Sequence, residues 1–193
     1  MMALSKALNG FVPSRRRGSG ANSTGSSRYR VANAFGSNIF YGDLVKLDGG
    51  FIEPITSAGS YSTGAFQGCE YIDPVTKQPT FSNYYPSGVS SAVGNVTAFV
   101  VDDPAATYIV QADASVSVGD INLNFDVTLG AGSAVTGISG FGIIATSRQQ
   151  TTGMVRVLDI YDEPGNAFSD ANPKVEVRIV QHVDADVSSH DEN

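Results

Sequence analysis

The clearest alternation of apolar and polar residues lies in the last third of the chain. Within residues 174–183, Val175, Val177 and Ile179 fall on one face, and Glu176 and Arg178 fall on the other. Because successive side chains of a β-strand point to opposite faces, this pattern predicts a strand with one buried side. The stretch has no group of residues typical of a reaction centre, and it is interpreted as part of a scaffold.

Further short runs of this kind predict that most of the chain forms β-strands. Asp48-Gly-Gly50 is a hairpin-turn signal, and Pro54 indicates an edge strand because proline cannot donate a hydrogen bond to a neighbouring strand. No long window has a convincing helical period, and about ten short strands are typical of a barrel or a sandwich. The predicted fold is all-β, a single β-barrel or β-sandwich body with an extended N-terminal arm. The runs lie at residues 39–47, 51–55, 65–72, 95–101, 107–112, 121–127, 141–145 and 153–161.

Two stretches within this pattern need separate interpretation. Residues 121–127 alternate cleanly, which predicts four inward-pointing side chains on one strand. Residues 129–141 are rich in glycine but lack the lysine and the following helix of a phosphate-binding loop, so they predict either close backbone packing or a mobile loop. The four inward side chains are Ile121, Leu123, Phe125 and Val127.

Charge placement divides the chain into three parts. The first 30 residues carry six basic side chains and no acid, whereas the remainder sets six basic residues against all nineteen acids, a net charge of −13. Residues 1–27 end in an Arg-, Gly- and Ser-rich run that cannot bury enough apolar surface to order alone, which predicts a flexible basic arm. Residues 28–183 are expected to form the body, and residues 184–193 an acidic tail that frays.

Few residues offer catalytic or metal-binding chemistry. The single cysteine, Cys69, cannot form a disulfide within the chain and is interpreted as a small buried residue. His182 and His190 have no second ligand at zinc spacing. Asp102 and Asp103 could serve acid–base chemistry, but before a proline they are typical of a turn. We therefore expect no metal, no cofactor and no enzymatic activity.

Two segments are candidates for contact with a partner. The arginine run at 15–17 could bind phosphates, but the −13 charge of residues 31–193 opposes nucleic acid, so no nucleic-acid partner is expected. No apolar run approaches the roughly 18 residues of a membrane span, so no membrane contact is expected either. The long loop at 77–94 carries aromatic residues that form either an exposed contact patch or a locally packed cluster. These aromatic residues are Phe81, Tyr84 and Tyr85.

Four stretches, in order, resemble a family of small structural proteins of short-tailed bacteriophage virions, the capsid decoration or cement proteins. The ending agrees too, with Val157-Leu-Asp-Ile-Tyr161, a Pro164-Gly-Asn166 turn and Asn172-Pro-Lys-Val-Glu-Val177. Each motif is weak alone, and their shared order carries the resemblance. The four stretches are Asn9-Gly-Phe-Val-Pro13, Asn38-Ile-Phe-Tyr-Gly-Asp-Leu-Val45, Val101-Asp-Asp-Pro-Ala-Ala-Thr-Tyr-Ile-Val-Gln111, and Asn122-Leu-Asn-Phe125 followed by Gly130-Ala-Gly-Ser-Ala-Val-Thr-Gly-Ile-Ser-Gly140.

The resemblance implies a non-enzymatic protein on the outer capsid surface of the virion, made in the host cytoplasm. It would bind the lattice of the major capsid protein, often as a homotrimer, and stabilise the head. The basic arm and the loop at 77–94 depart from the family pattern and are expected to supply the specific contacts. The expected contact residues are Phe11, Pro13, Arg15, Arg16, Arg17, Phe81, Tyr84 and Tyr85.

Two other functional classes stay open at this point. The first is a receptor- or glycan-binding appendage of the virion, which the all-β body and Tyr84-Tyr85 beside Asn83 would suit. The second is a hydrolase that uses Asp102 and Asp103, although no base, nucleophile or metal set accompanies them.

Overall fold

A computed structural model describes residues 8–18 and 25–185, which form thirteen β-strands and two single turns of 3₁₀ helix, at Val118–Asp120 and Ala145–Ser147. The all-β prediction is confirmed. The strands are β1 (Val12–Arg16), β2 (Ser27–Val31), β3 (Leu44–Asp48), β4 (Phe51–Pro54), β5 (Gly64–Ile72), β6 (Pro79–Ser82), β7 (Val96–Val101), β8 (Ala106–Gln111), β9 (Asn124–Phe125), β10 (Val127–Ser133), β11 (Ile138–Ile143), β12 (Val155–Ile160) and β13 (Lys174–Ile179).

The strands assemble into two antiparallel sheets and a ribbon. Sheet I has the order β1-β8-β13-β12-β9, and sheet II has the order β2-β7-β5-β3-β4 with β6 also paired to β5. Strands β10 and β11 form a two-stranded ribbon, and isolated bridges link Ile138 and Ile143 of β11 to Tyr41 and Ala112. The end strands β2 and β4 of sheet II approach each other, but no ladder joins them among the described strands, so a closed barrel is not seen. Pro54 lies on the edge strand β4, as the sequence predicts.

Two apolar cores hold these layers together. The larger core joins both sheets and the ribbon, because it combines Leu44 and Ala65 of sheet II with Val157 and Val177 of sheet I and Ile143 of the ribbon. The burial predicted for Val175, Val177 and Ile179 is confirmed in this core, within a strand that ends at Ile179. The smaller core involves other residues of sheet II and is completed by residues of the connecting segments. These segments contribute Ile39 and Tyr85.

The prediction of a flexible arm through residue 27 is wrong for residues 8–18. Strand β1 lies in this segment and pairs antiparallel with β8 at the edge of sheet I. Phe11 is fully buried and packs edge-on against Tyr108, with the ring centroids 6.2 Å apart. Burial of a phenylalanine and a strand ladder supply the stabilisation that composition alone does not indicate. Residues 1–7 and 19–24 of the predicted arm, and 186–193 of the predicted tail, lie outside the described residues.

The continuous strand predicted at 121–127 is also wrong. The chain makes a 3₁₀ turn before Ile121, and Asn122 adopts a left-handed conformation with φ of 70°, which breaks the alternation. Only Asn124 and Phe125 then pair with β12, and the next strand begins at Val127. Phe125 and Val127 are buried as predicted, but Ile121 and Leu123 are only partly buried.

The glycine run forms the ribbon of β10 and β11. Gly130 and Gly140 are cross-strand partners in this ribbon. A Cβ at either position would collide with main-chain atoms of the facing strand. Of the two interpretations of this run, close backbone packing is therefore the one observed.

Three small residues from distant parts of the chain meet where the first described segment enters the fold. We call this contact of Gly10, Gly42 and Ser139 the glycine junction. A Cβ on Gly10 would lie 2.5 Å from Cβ of Ser139 and 2.7 Å from the carbonyl oxygen of Gly42. The N–H of Phe11 donates to the oxygen of Gly42 (2.9 Å), and the N–H of Gly10 donates to the oxygen of Phe141 (3.1 Å). The junction thus fixes β1 against both sheet II and the ribbon.

We predict that Gly10→Ala lowers the free energy of unfolding by about 2–4 kcal/mol, since it combines an unfavourable φ of +69° with overpacking. Denaturant unfolding measures this change. Gly36→Ala is the matched control, because no atom lies within 4 Å of the Cβ it would add. Equal stability of the two variants would contradict the close approach at the glycine junction.

Candidate interaction surface

The outer face of sheet II carries an exposed aromatic cluster. Phe81 of β6 is 66% exposed, and its ring lies 6.0 Å from that of Phe99 on β7. The guanidinium of Arg28 on β2 lies 5.5 Å from the centroid of the Phe99 ring, within the range of a cation–π contact. Gly68 between them leaves room for Phe81, since a Cβ there would lie 3.0 Å from its ring. We call Arg28, Phe99 and Phe81 the aromatic patch.

The other aromatic residues of the 77–94 loop serve packing. Tyr85 is fully buried, and its hydroxyl donates to the carbonyl oxygen of Val89 at 2.6 Å. Tyr84 is half-buried and stacks on Phe40, with ring centroids 5.7 Å apart and an interplanar angle of 14°. The prediction of one continuous loop at 77–94 is wrong at Pro79–Ser82, which form β6 and pair with β5. The segment combines the two possibilities predicted for its aromatic residues, with Phe81 exposed and Tyr85 packed inside.

Strand β1 adds a partly buried ion pair to the outer face of sheet I. The guanidinium of Arg15 donates to both carboxylate oxygens of Glu176, each at 2.7 Å, and the hydroxyl of Thr107 lies 2.7 Å from one of them. The sequence pattern places Glu176 on an exposed face, but it is only 7% exposed. The pattern fails here because it cannot register that β1 covers this part of the sheet.

The environment of Glu176 favours its charged form. Burial opposes ionisation, but hydrogen bonds from Arg15 and Thr107, together with the charges of Arg15 and Arg17, outweigh it. They lower the pKa of the Glu176 carboxyl below its ordinary value. Arg15 itself is 63% exposed in its side chain, so the pair is open to solvent on one side.

The two carboxylates at 102 and 103 serve the turn between β7 and β8. Asp103 pairs with Arg16 at 2.6 Å and accepts a hydrogen bond from the N–H of Ala105. Asp102 accepts a hydrogen bond from the hydroxyl of Tyr29 at 2.9 Å. Burial, and then this bond and the charge of Asp102, raise the pKa of Tyr29 to about 12. These contacts agree with the turn interpretation of the pair.

A row of polar side chains crosses all five strands of sheet I. The ladder registers align one residue from each strand, in the order β1, β8, β13, β12 and β9. Sequence reasoning did not single out the two arginines at its centre, because they become neighbours only through strand pairing. Their positions within alternating runs are the one signal that could have indicated them. We call these residues the arginine row: Arg15, Thr107, Arg178, Arg156 and Asn124.

The remaining chemical candidates are enclosed by the fold. Cys69 is fully buried, and desolvation raises the pKa of its thiol to about 12. Desolvation likewise lowers the pKa of the buried His182. Within residues 8–18 and 25–185, no three His, Cys, Asp or Glu side chains group in a way that could hold a metal ion.

Of the predicted contact residues, the structure places Arg15, Arg16, Arg17 and Phe81 on the surface. Pro13 and Tyr84 are half-buried, and Phe11 and Tyr85 are inside the protein. The exposed basic candidates therefore lie at sheet I, and the exposed aromatic candidate, Phe81, lies on sheet II. Whether any of them contacts a capsid stays a prediction.

Comparisons with protein-family models, with curated proteins and with solved structures found no match for this chain. In the part of the chain that the structure describes, no helix is long and apolar enough to span a membrane.

We predict that Glu176→Gln destabilises the protein by about 1–3 kcal/mol at pH 7, because Arg15 loses its charged acceptor. The folded-state pKa of Glu176 is lowered, so its stabilising contribution is present above the ordinary value of 4.5 and is lost as pH falls through the folded-state pKa. Urea unfolding of both proteins from pH 7 to pH 3 should show their difference shrinking below about pH 4.5.

Glu53→Gln is the control for this experiment. Glu53 pairs with Lys46 on the edge hairpin of sheet II, and its carboxylate is 29% exposed, against 9% for that of Glu176. Water therefore solvates the Glu53 carboxylate better, and we expect its replacement to cost less, within about 1 kcal/mol. A Glu176→Gln effect that is the same at every pH would contradict the ionised pair.

Proposed function

We propose that this protein is a non-enzymatic structural component of a bacteriophage virion, a capsid decoration protein that binds the major capsid protein lattice and stabilises the head. The observation that carries the proposal is the position, in the fold, of the four stretches that resemble capsid decoration proteins. Gly10, Gly42 and Ser139 of the glycine junction belong to three of them, and Tyr108, which packs on Phe11, belongs to the fourth. Stretches that are weak evidence separately thus form one packed unit.

The architecture suits a protein that reinforces a shell. A cement protein needs a body whose segments are tied together, and here β1 is held by the glycine junction, by burial of Phe11 and by the Arg15–Glu176 pair. The net charge of −7 favours solubility before assembly. Many copies on one lattice would then act multivalently, so that modest individual contacts resist opening of the head. We propose a homotrimer as the attached form, as the resemblance implies.

The aromatic patch is the surface that we propose for contact with the capsid protein. An aromatic side chain that is largely exposed beside an arginine is typical of residues that dominate binding energy when a partner covers them. Phe81 fits this description, whereas Phe11 and Tyr85 stabilise the fold instead. A test by deletion of residues 1–27 would remove β1 as well, and would therefore confuse unfolding with loss of contact.

We predict that Phe81→Ser weakens binding to undecorated heads at least 10-fold, because an interface aromatic contributes about 2 kcal/mol or more. Purified protein is mixed with heads that lack it, and the bound fraction is measured by co-sedimentation over a range of concentrations. Val75→Ser is the matched control, since Val75 is 85% exposed at a separate turn.

The free energy of unfolding of each variant must first lie within about 1 kcal/mol of that of the natural protein, as expected for substitutions at exposed positions. Equal binding by Phe81→Ser and Val75→Ser would remove the aromatic patch as the contact surface. Absence of binding by the natural protein would reject the proposed function.

A further inference from the structure

The arginine row contains cations that lack a counter-charge. Arg15 is paired with Glu176, but Arg156 and Arg178 form no ion pair among the described residues, and neither does Arg17, which follows β1. What distinguishes Arg156 and Arg178 from other cations of the described residues is that they are direct cross-strand neighbours, which concentrates positive charge at one place on sheet I.

Without a bound anion, the position of these two arginines is electrostatically unfavourable. Arg156 and Arg178 are directly opposite each other on β12 and β13, where like charges repel. Burial, and then the charges of Arg156 and Arg17, lower the pKa of Arg178. A bound anion would relieve the repulsion.

Two donors of the row are also left without acceptors. Nε of Arg178 and Nδ2 of Asn124 are buried and have no hydrogen-bond partner, and Asn124 is fully buried. The oxygen of the Asn124 side chain accepts from Nε of Arg156 at 2.9 Å, which holds that guanidinium beside the orphan amide. Unsatisfied buried donors are uncommon, and an oxyanion is the kind of group that such donors accept.

The same face shows which oxyanion suits it. Beside the unpaired arginines, Arg15 already binds the carboxylate of Glu176 through two parallel hydrogen bonds. Screening limits repulsion to acids within a Debye length of about 8–10 Å of the ligand. A long polyphosphate chain would extend over more of the acidic surface of residues 31–193, whose net charge is −13, than a short peptide does. Charge complementarity and local geometry therefore favour carboxylates on a short protein segment.

We propose that the arginine row is a binding surface for an acidic segment of a partner protein, whose carboxylates pair with Arg156 and Arg178. This inference deepens the proposed function, on which it rests only for the identity of the partner. The aromatic patch on sheet II and the arginine row on sheet I then supply two distinct contacts, one apolar and one ionic.

The test uses the full chain and an eight-residue peptide of alternating Glu and Ser, titrated by calorimetry at low salt. We expect binding that weakens with added salt, that is lost when Gln replaces Glu in the peptide, and that falls at least 10-fold in the double variant Arg156→Gln/Arg178→Gln. Arg148→Gln is the control, because Arg148 is an exposed arginine outside the row that pairs with Asp120. It should bind like the natural protein.

A second readout keeps the test decisive if peptide affinity is low. Added salt screens the repulsion between Arg156 and Arg178, so it should stabilise the natural protein relative to the double variant in urea unfolding. Loss of the Arg156–Asn124 hydrogen bond, by contrast, should cost the same at every salt concentration. A stability difference that is independent of salt would contradict the repulsion. Peptide binding that is equal in the double variant would overturn the proposal. The proposal would also be overturned if inorganic phosphate or a single-stranded oligonucleotide bound these arginines more tightly than the peptide does.

The two proposals can fail separately. A protein that binds the peptide through the row but ignores undecorated heads would leave this inference standing and reject the capsid role. A protein that binds undecorated heads but not the peptide would support the capsid role and reject the arginine row as a site for an acidic segment.

Discussion

The close approach of backbone at the glycine junction is the constraint on which the rest of the structure depends. Gly10 reaches Gly42 and Ser139 because none of the three brings a bulky side chain into the contact. That approach places Phe11 in the larger core and sets β1 on the edge of sheet I. With β1 in this position, Arg15 covers Glu176 and begins the arginine row at the edge of sheet I.

Local patterns in the sequence predict much of this fold. They succeed where the burial of a residue depends only on the strand that contains it and on the face to which its side chain points. Val175, Val177 and Ile179 are buried as their alternation indicates, and Pro54 is on an edge because it lacks an N–H. Glu176, on the same strand as the valines, escapes prediction because its burial depends on β1, 161 residues away. The alternation of apolar and polar residues within β13 does not indicate a contact with so distant a segment.

The candidate surfaces were less predictable than the scaffold for the same reason. Composition makes residues 1–27 look unable to order, yet burial of Phe11, the ladder of β1 with β8 and the Arg15–Glu176 pair hold residues 10–16 in place. Tyr84 and Tyr85 are adjacent aromatics on one loop, but only Tyr85 has a fully buried ring. The arginine row needs the register of four ladders, which sequence does not provide without the fold.

The proposed role on a phage head makes a direct claim about number and place. The measurement that tests it is cryo-electron microscopy of purified particles, combined with quantification of this chain relative to the major capsid protein. The account predicts hundreds of copies per particle, arranged regularly on the outer surface of the head. A handful of copies confined to the tail or to a single vertex would contradict it and would favour a receptor-binding appendage.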